Sequence, residues 1–209
     1  MGVDDPDTEQ LLRRAAQGDR SAVERLLVRH QDRLRKMIAV RMDRRVAARV
    51  DPSDVVQEAL AEAFQRMPNY LRERRLPFYP WLRQIAWERL VHVHGRHIHA
   101  GKRSVRREQS WDTLPEESAM ELAGRLVASG TSPSRQLMRE EMRRRVRNAL
   151  ERLNPKDREV LVLRYMEQLK TSEIAAVLGI NEGAVKTRHF RAIERLHRLL
   201  GGKLDEDDR

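Results

Sequence analysis

Apolar positions recur at helical spacing along almost all of this 209-residue chain, and sustained apolar-polar alternation is nearly absent, so the regular elements it predicts are helices. Leu11, Leu12 and Ala15 form a short apolar face that stops at Gly18-Asp19. Ser21 is then placed to cap a long helix carrying Val23, Leu26, Leu27, Leu34, Met37, Ile38 and Met42. Asp51-Pro52-Ser53-Asp54 is a strong start signal: Asp51 caps, Pro52 occupies a first-turn position where no amide partner is lost, and Asp54 reaches back as in a capping box. Val55, Val56, Ala59, Leu60, Ala63, Phe64 and Met67 make the buried side of that helix, leaving Asp54, Gln57, Glu58 and Glu62 as an acidic, polar face. A last helix of this block is expected from near Trp81 through Ile85, Ala86, Leu90 and Val93 toward His99.

Between Gly101 and about Arg135 the pattern loosens. KRSVRRE is a charge run, Pro115 and Pro133 interrupt, and SGTSPS is rich in turn formers, so the stretch is predicted to be a linker. The apolar segment Met120 to Ala128 leaves room for a helix inside it. A second block begins with Met142, Val146, Ala149, Leu150 and Leu153 on one face, and Asn154-Pro155 repeats the cap-plus-proline device ahead of Val160, Leu161 and Leu163. The fold class is therefore all-α, with two small helical domains, 8–100 and 138–200, joined by a flexible linker over 101–137.

The stretch Thr171 to Leu200 reads as a helix-turn-helix. Ile174, Ala175 and Leu178 give its first helix one apolar face, and the small Ala175 lets a second helix cross closely. Gly179 supplies the left-handed residue at the turn, and Asn181 caps the second helix. Val185, Ala192, Leu196 and Leu199 point inward, while Lys186, Thr187, Arg188 and Arg191 project elsewhere as phosphate and base-edge donors. Taken alone, the same pattern also describes a basic amphipathic helix packed on a core.

Composition narrows the partner. Forty-two Lys and Arg against 32 Asp and Glu leave a formal charge of +10, which favours a polyanion. No segment is long and apolar enough to span a bilayer, the acidic start MGVDDPDTEQ lacks the apolar run of a signal peptide, and there is no cysteine, so a cytoplasmic protein without disulfides is expected. An enzyme lacks its parts: there is no nucleophile elbow, phosphate-binding glycine loop or metal-ligand array, and no cofactor is expected. His92, His94, His97 and His99 invite a metal, but only His94 with His97 or His92 with His99 would converge on a helix, and no cysteine or nearby acidic cluster completes a tetrahedral set. Polar or DNA-facing positions suit them better.

Residues 69–96 hold Tyr70, Phe78, Tyr79, Trp81 and Trp87 among Arg72, Arg74, Arg75, Arg83 and Arg89. Aromatic rings interleaved with arginine suit single-stranded DNA, because an unpaired base stacks on a ring while arginine neutralises the backbone. Some of these rings must be core, and Trp81 is the first expected there, because Trp buries a large area. A dimeric repressor using the same helix-turn-helix is the main rival. It would need an oligomerisation face or ligand pocket, where this chain instead carries an acidic helix and an aromatic-arginine segment.

The motifs LLRRAAQGDRSAVERLLVRH, DPSDVVQEALAEAF, PFYPWLRQIAWERLVHVHGRH and NPKDREVLVLRYMEQLKTSEIAAVLGINEGAVKTRHFRAIERL, in this order, resemble the extracytoplasmic-function (ECF) sigma factors of RNA polymerase, which retain only regions 2 and 4. The resemblance covers nearly the whole chain. It implies a transcription initiation factor whose partners are promoter DNA and core RNA polymerase, the latter through the β′ clamp helices and the β flap, with an anti-sigma factor as a candidate regulator beside control by synthesis or by masking between the two blocks. It also implies that Asp54, Gln57 and Glu58 meet the clamp. A loop before the WLxxIA helix would pocket an extruded minus-10 base and the helix would hold the melted strand, implicating Tyr70, Arg75, Tyr79, Arg83, Gln84, Trp87, Arg89 and His92. Minus-35 contacts would fall on Glu182, Ala184, Lys186, Thr187, Arg188 and Arg191, with Arg188 the first base reader and Arg191 its alternate. His189 stands where the family usually has leucine, which puts tight apolar packing at that position in doubt.

Overall fold

The computed structural model describes residues 4–98, 114–128 and 136–201, which fall into two compact units. All regular elements among them are helical. KRSVRRE, SGTSPS, His99 and the acidic tail LDEDDR lie outside the described residues.

The first unit contains α1 (Pro6–Ala16), α2 (Arg20–Arg41), the short α3 (Arg44–Ala47), α4 (Pro52–Glu73) and α5 (Phe78–Ile98). Helix α4 lies against both α2 and α5. Ala59, Ala63 and Ala86 are fully buried, as are the large Leu26, Leu34, Met37, Phe78, Leu82 and Ile85 of the same unit. Cutting such a leucine to alanine costs roughly 2–5 kcal/mol. Asp51 caps α4 as expected, its carboxylate accepting from the Ser53 amide at 2.7 Å, whereas Asp54 stays exposed and makes no return bond among the described residues. Two boundaries differ from expectation. Asp19, not Ser21, caps α2: it accepts from the Ala22 amide at 3.1 Å, and the Ser21 hydroxyl donates to the same carboxylate at 2.7 Å. Helix α5 starts at Phe78, three residues before Trp81, because its first free amide finds an acceptor in distant Asp4.

The second unit contains α6 (Glu116–Ala128), α7 (Gln136–Glu151), α8 (Pro155–Leu161) running into a π-helical turn (Val162–Met166), α9 (Thr171–Leu178) and α10 (Glu182–Leu199). Helix α6 arises inside the segment expected to be linker. Leu122 and Ala123 are completely buried where α6 packs on α7, so that part of the segment belongs to the unit. The π turn closes with Gln168 in the left-handed region (φ 58°) and the Leu169 amide bonded to the Leu163 carbonyl at 3.0 Å. Glu173 then bonds the Lys170 amide at 2.8 Å, which starts α9. Gly179 takes φ 62° at the turn and Asn181 caps α10 through the Ala184 amide at 2.7 Å, both as the sequence predicts.

Candidate polymerase and nucleic-acid interfaces

Asp54, Gln57 and Glu58 are all exposed on one face of the amino-terminal half of α4, since residues three and four apart lie one above another. Their partner residues at the buried side are Val55, Val56 and Ala59. The face is acidic on a strongly basic chain, which suits a basic protein surface better than DNA.

At the other end of α4 the chain forms a cavity of about 360 Å³ lined by Arg66, Asn69, Tyr70, Glu73, Arg74, Arg75, Leu76, Trp81 and Gln84. Its apolar wall is a pair of stacked rings, Tyr70 and Trp81, with centroids 4.3 Å apart and planes at 29°. Phe78 supports both from inside, at 5.6 Å from each. The loop between α4 and α5 forms one side of the cavity and is held at three points. The Tyr70 hydroxyl donates to the Leu76 carbonyl at 3.1 Å. Glu9 of α1 grips Arg74 with both carboxylate oxygens, at 2.7 and 3.3 Å, and Asp4 accepts from the Phe78 amide at 3.0 Å. The bond from Arg74 holds the Glu9 carboxyl below the usual range, while burial raises that of Asp4.

The expected strand-contacting residues divide. Gln84, Arg75 and His92 are exposed, and Trp87 is partly exposed with the Arg41 guanidinium 5.9 Å from its ring. Tyr79 and Arg83 are buried at 1% and 2% exposure, so neither presents the solvent-open side chain that the expected strand contact calls for. Tyr79 sits between His30 (centroids 5.7 Å apart) and the Arg33 guanidinium, 3.6 Å from its ring centroid, and Arg83 is engaged inside the unit. Tyr70 is 5% exposed and takes part through the cavity wall. Arg89 is committed to Glu62, which also pairs with Arg66, so it ties α5 to α4. Trp81 is the reverse case: expected in the core, it is partly exposed and faces the cavity. Asn69 and Arg74 also line the cavity, and helical spacing alone gave no sign of it.

His94 accepts from the Asp43 amide at 3.3 Å, so it helps dock α3 on α5. Among the described residues no three His, Asp or Glu side chains are placed to hold a metal ion, and no helix is long and apolar enough to cross a membrane.

On α10, Lys186, Thr187 and Arg191 are exposed and Glu182 opens the helix, while Ala184 and Arg188 are partly covered. Phe190 is 68% exposed and lies three and four residues from Thr187 and Lys186, hence on the same face. His189 is half-buried. Its Nε2 lies 3.1 Å from the Tyr165 hydroxyl, and burial, then the charge of Arg164, lowers its pKa. His189 thus makes a ring-on-ring and hydrogen-bonded contact to the π turn, with centroids 5.8 Å apart.

One all-helical unit carries a ring-walled cavity and an exposed acidic helix face, and the other carries a basic helix-turn-helix. Residues 143–196 match the family model described as Sigma-70, region 4. The ECF RNA polymerase sigma-E factor of Escherichia coli is 30% identical over 190 residues, spanning 90% of this chain and 92% of that protein. The RNA polymerase sigma-H factor of Pseudomonas aeruginosa is 28% identical over 198 residues, 95% of this chain and 96% of that one. The solved structure of CnrH in complex with the cytosolic domain of CnrY shares the fold, with a TM-score of 0.50 at 23% identity over 93% of this chain and 97% of that one. The chain belongs to the ECF family of RNA polymerase sigma factors. It is a transcription initiation factor that directs promoter-specific transcription, and its partners are core RNA polymerase and promoter DNA.

Proposed function

We propose that the cavity at the α4–α5 loop receives one extruded base of the minus-10 element, stacked against Trp81, while the melted strand runs past Gln84, Trp87 and His92. The stacked Tyr70–Trp81 wall carries this reading. The volume falls in the small-molecule range of roughly 300–1,000 Å³, and Asn69 and Gln84 supply hydrogen-bonding groups while the exposed Arg75 supplies positive charge for phosphate. Residues 8–100 act as region 2, with Asp54, Gln57 and Glu58 on the β′ clamp helices. Residues 138–200 act as region 4, which docks on the β flap and whose α10 reads the minus-35 element in the major groove. There Arg191 and Arg188 read base edges, Lys186 and Thr187 hold phosphate, and Phe190 meets a thymine methyl. The protein works by binding alone, in the cytoplasm and on the nucleoid within the holoenzyme. CnrH was solved bound to another protein, which supports control of this chain by a separate anti-sigma factor.

The test is permanganate footprinting and run-off transcription with holoenzyme. Trp81→Ala should weaken open-complex formation with recruitment retained. Asp54→Arg with Glu58→Arg should abolish core binding while circular dichroism stays unchanged. Normal core binding by that double variant refutes the clamp assignment, and unchanged melting by Trp81→Ala refutes the pocket.

A further inference from the structure

We infer that the amino-terminal segment is part of the base-reading device: Asp4 and Glu9 are positioning residues that hold the loop Arg74–Phe78 in the shape by which the cavity selects its base. This rests on the reading of the cavity as the minus-10 pocket. Arg74, Arg75 and Leu76 of the loop line that cavity. Tyr70 anchors it locally at Leu76, but the other two anchors come from 65 and 74 residues away.

Arg74 explains why such anchors are needed. It ends α4 at φ 37° and ψ 47°, a left-handed conformation that is uphill for a residue with a Cβ and persists only where its surroundings impose it. The two-oxygen grip of Glu9 imposes it, because a carboxylate fork fixes both the position and the plane of a guanidinium. Asp4 does the same for the far end of the loop, by accepting from the first amide of α5 with both oxygens, at 3.0 and 3.2 Å. Removing Glu9 therefore has two consequences. The cavity wall loses its imposed shape, and a guanidinium is released at its edge, where it attracts any strand whatever its sequence. Selectivity falls while affinity for the wrong bases holds or rises. A residue that merely stabilised the fold would lower binding to all bases together.

The experiment uses holoenzyme assembled with the full chain and pre-melted promoter templates in which each unpaired minus-10 position is varied through the four bases. Glu9→Ala should reduce the preference at the pocketed position about two- to fivefold, the range of a partly exposed ion pair, without loss of affinity for the disfavoured bases. Asp4→Ala should also lower the preference, whereas Asp4→Asn, which keeps an acceptor for the Phe78 amide, should retain it. Equal weakening for all four bases in Glu9→Ala would overturn the inference, as would an unchanged preference in a background where Trp81→Ala erases it. Trp81→Ala that leaves the preference intact would overturn the pocket reading and this inference with it.

Discussion

The α4–α5 cavity and the outer face of α10, the two surfaces proposed to read DNA, are built in opposite ways. The cavity is a concavity made by tertiary contact: rings from two helices, a loop between them, and carboxylates from α1 that brace it. The α10 face is one helix surface, its side chains turned to solvent and braced by a cap at one end and by His189 on Tyr165 behind. The difference follows from the two forms of the ligand. An unpaired base must be taken out of water and stacked, which requires a pre-shaped hole. A duplex already presents an ordered groove, so a rigid rod with donors on one side is enough.

If that contrast is right, the largest effects come from the residues that shape the cavity from behind. Tyr79→Ala should destabilise the first unit by roughly 3–5 kcal/mol, because its ring is buried between His30 and Arg33. Thermal unfolding should show it, along with loss of DNA binding and core binding together. A Tyr79→Ala protein of normal stability that fails only on single-stranded DNA would return Tyr79 to the strand interface.

His30 gives a second break point. It is 4% exposed between α1 and α5, with the Thr8 hydroxyl 3.3 Å from Nε2, and burial followed by the charge of Arg33 lowers its pKa to about 4. Because the folded value lies below the ordinary histidine value of 6.5, the unfolded chain binds more protons between those values. Stability from this group is complete above the unfolded value and is lost as pH falls through the window toward about 4, by about 3 kcal/mol in all. Denaturant titrations of the wild type and His30→Gln across that window should diverge in slope. Parallel curves would show that His30 is not held neutral.

Smaller effects belong to α10, where no cavity has to survive the change. Lys186→Ala should weaken binding to all minus-35 sequences alike and lower the salt slope by about 1. Phe190→Ala should leave stability within about 0.5 kcal/mol, since the ring is exposed, and relax the preference for thymine at one position. A selection over randomised minus-35 sequences distinguishes the two, and an unchanged sequence preference with Phe190→Ala removes that ring from the reading face.

The same contrast explains what the sequence disclosed. Every property of α10 that matters is local: Asn181 as cap, Gly179 as turn, and Val185, Ala192 and Leu196 inward at helical spacing, so periodicity alone gives its outer face. Helix α4 was legible for the same reason, from the Asp51-Pro52 start to the exposed Asp54, Gln57 and Glu58. The cavity was legible only as a region. Tyr79 and Trp81 lie two residues apart on α5 and must face different ways, but which one turns inward depends on where α2 brings His30 and Arg33. The start of α5 depends on Asp4, a long-range acceptor that no local pattern reveals, and the π turn that meets His189 has no periodic signature of its own.

The central claim is that one unit reads unpaired bases through a cavity and the other reads duplex through a helix face. Its most direct test compares Trp81→Ala and Arg191→Ala holoenzymes on two ligands, a single-stranded minus-10 oligonucleotide and a double-stranded minus-35 fragment. Trp81→Ala should lose roughly 1–3 kcal/mol on the single strand and nothing on the duplex. Arg191→Ala should lose a comparable amount on the duplex and nothing on the single strand. Either variant weakening both ligands equally would contradict the division of labour between the two units.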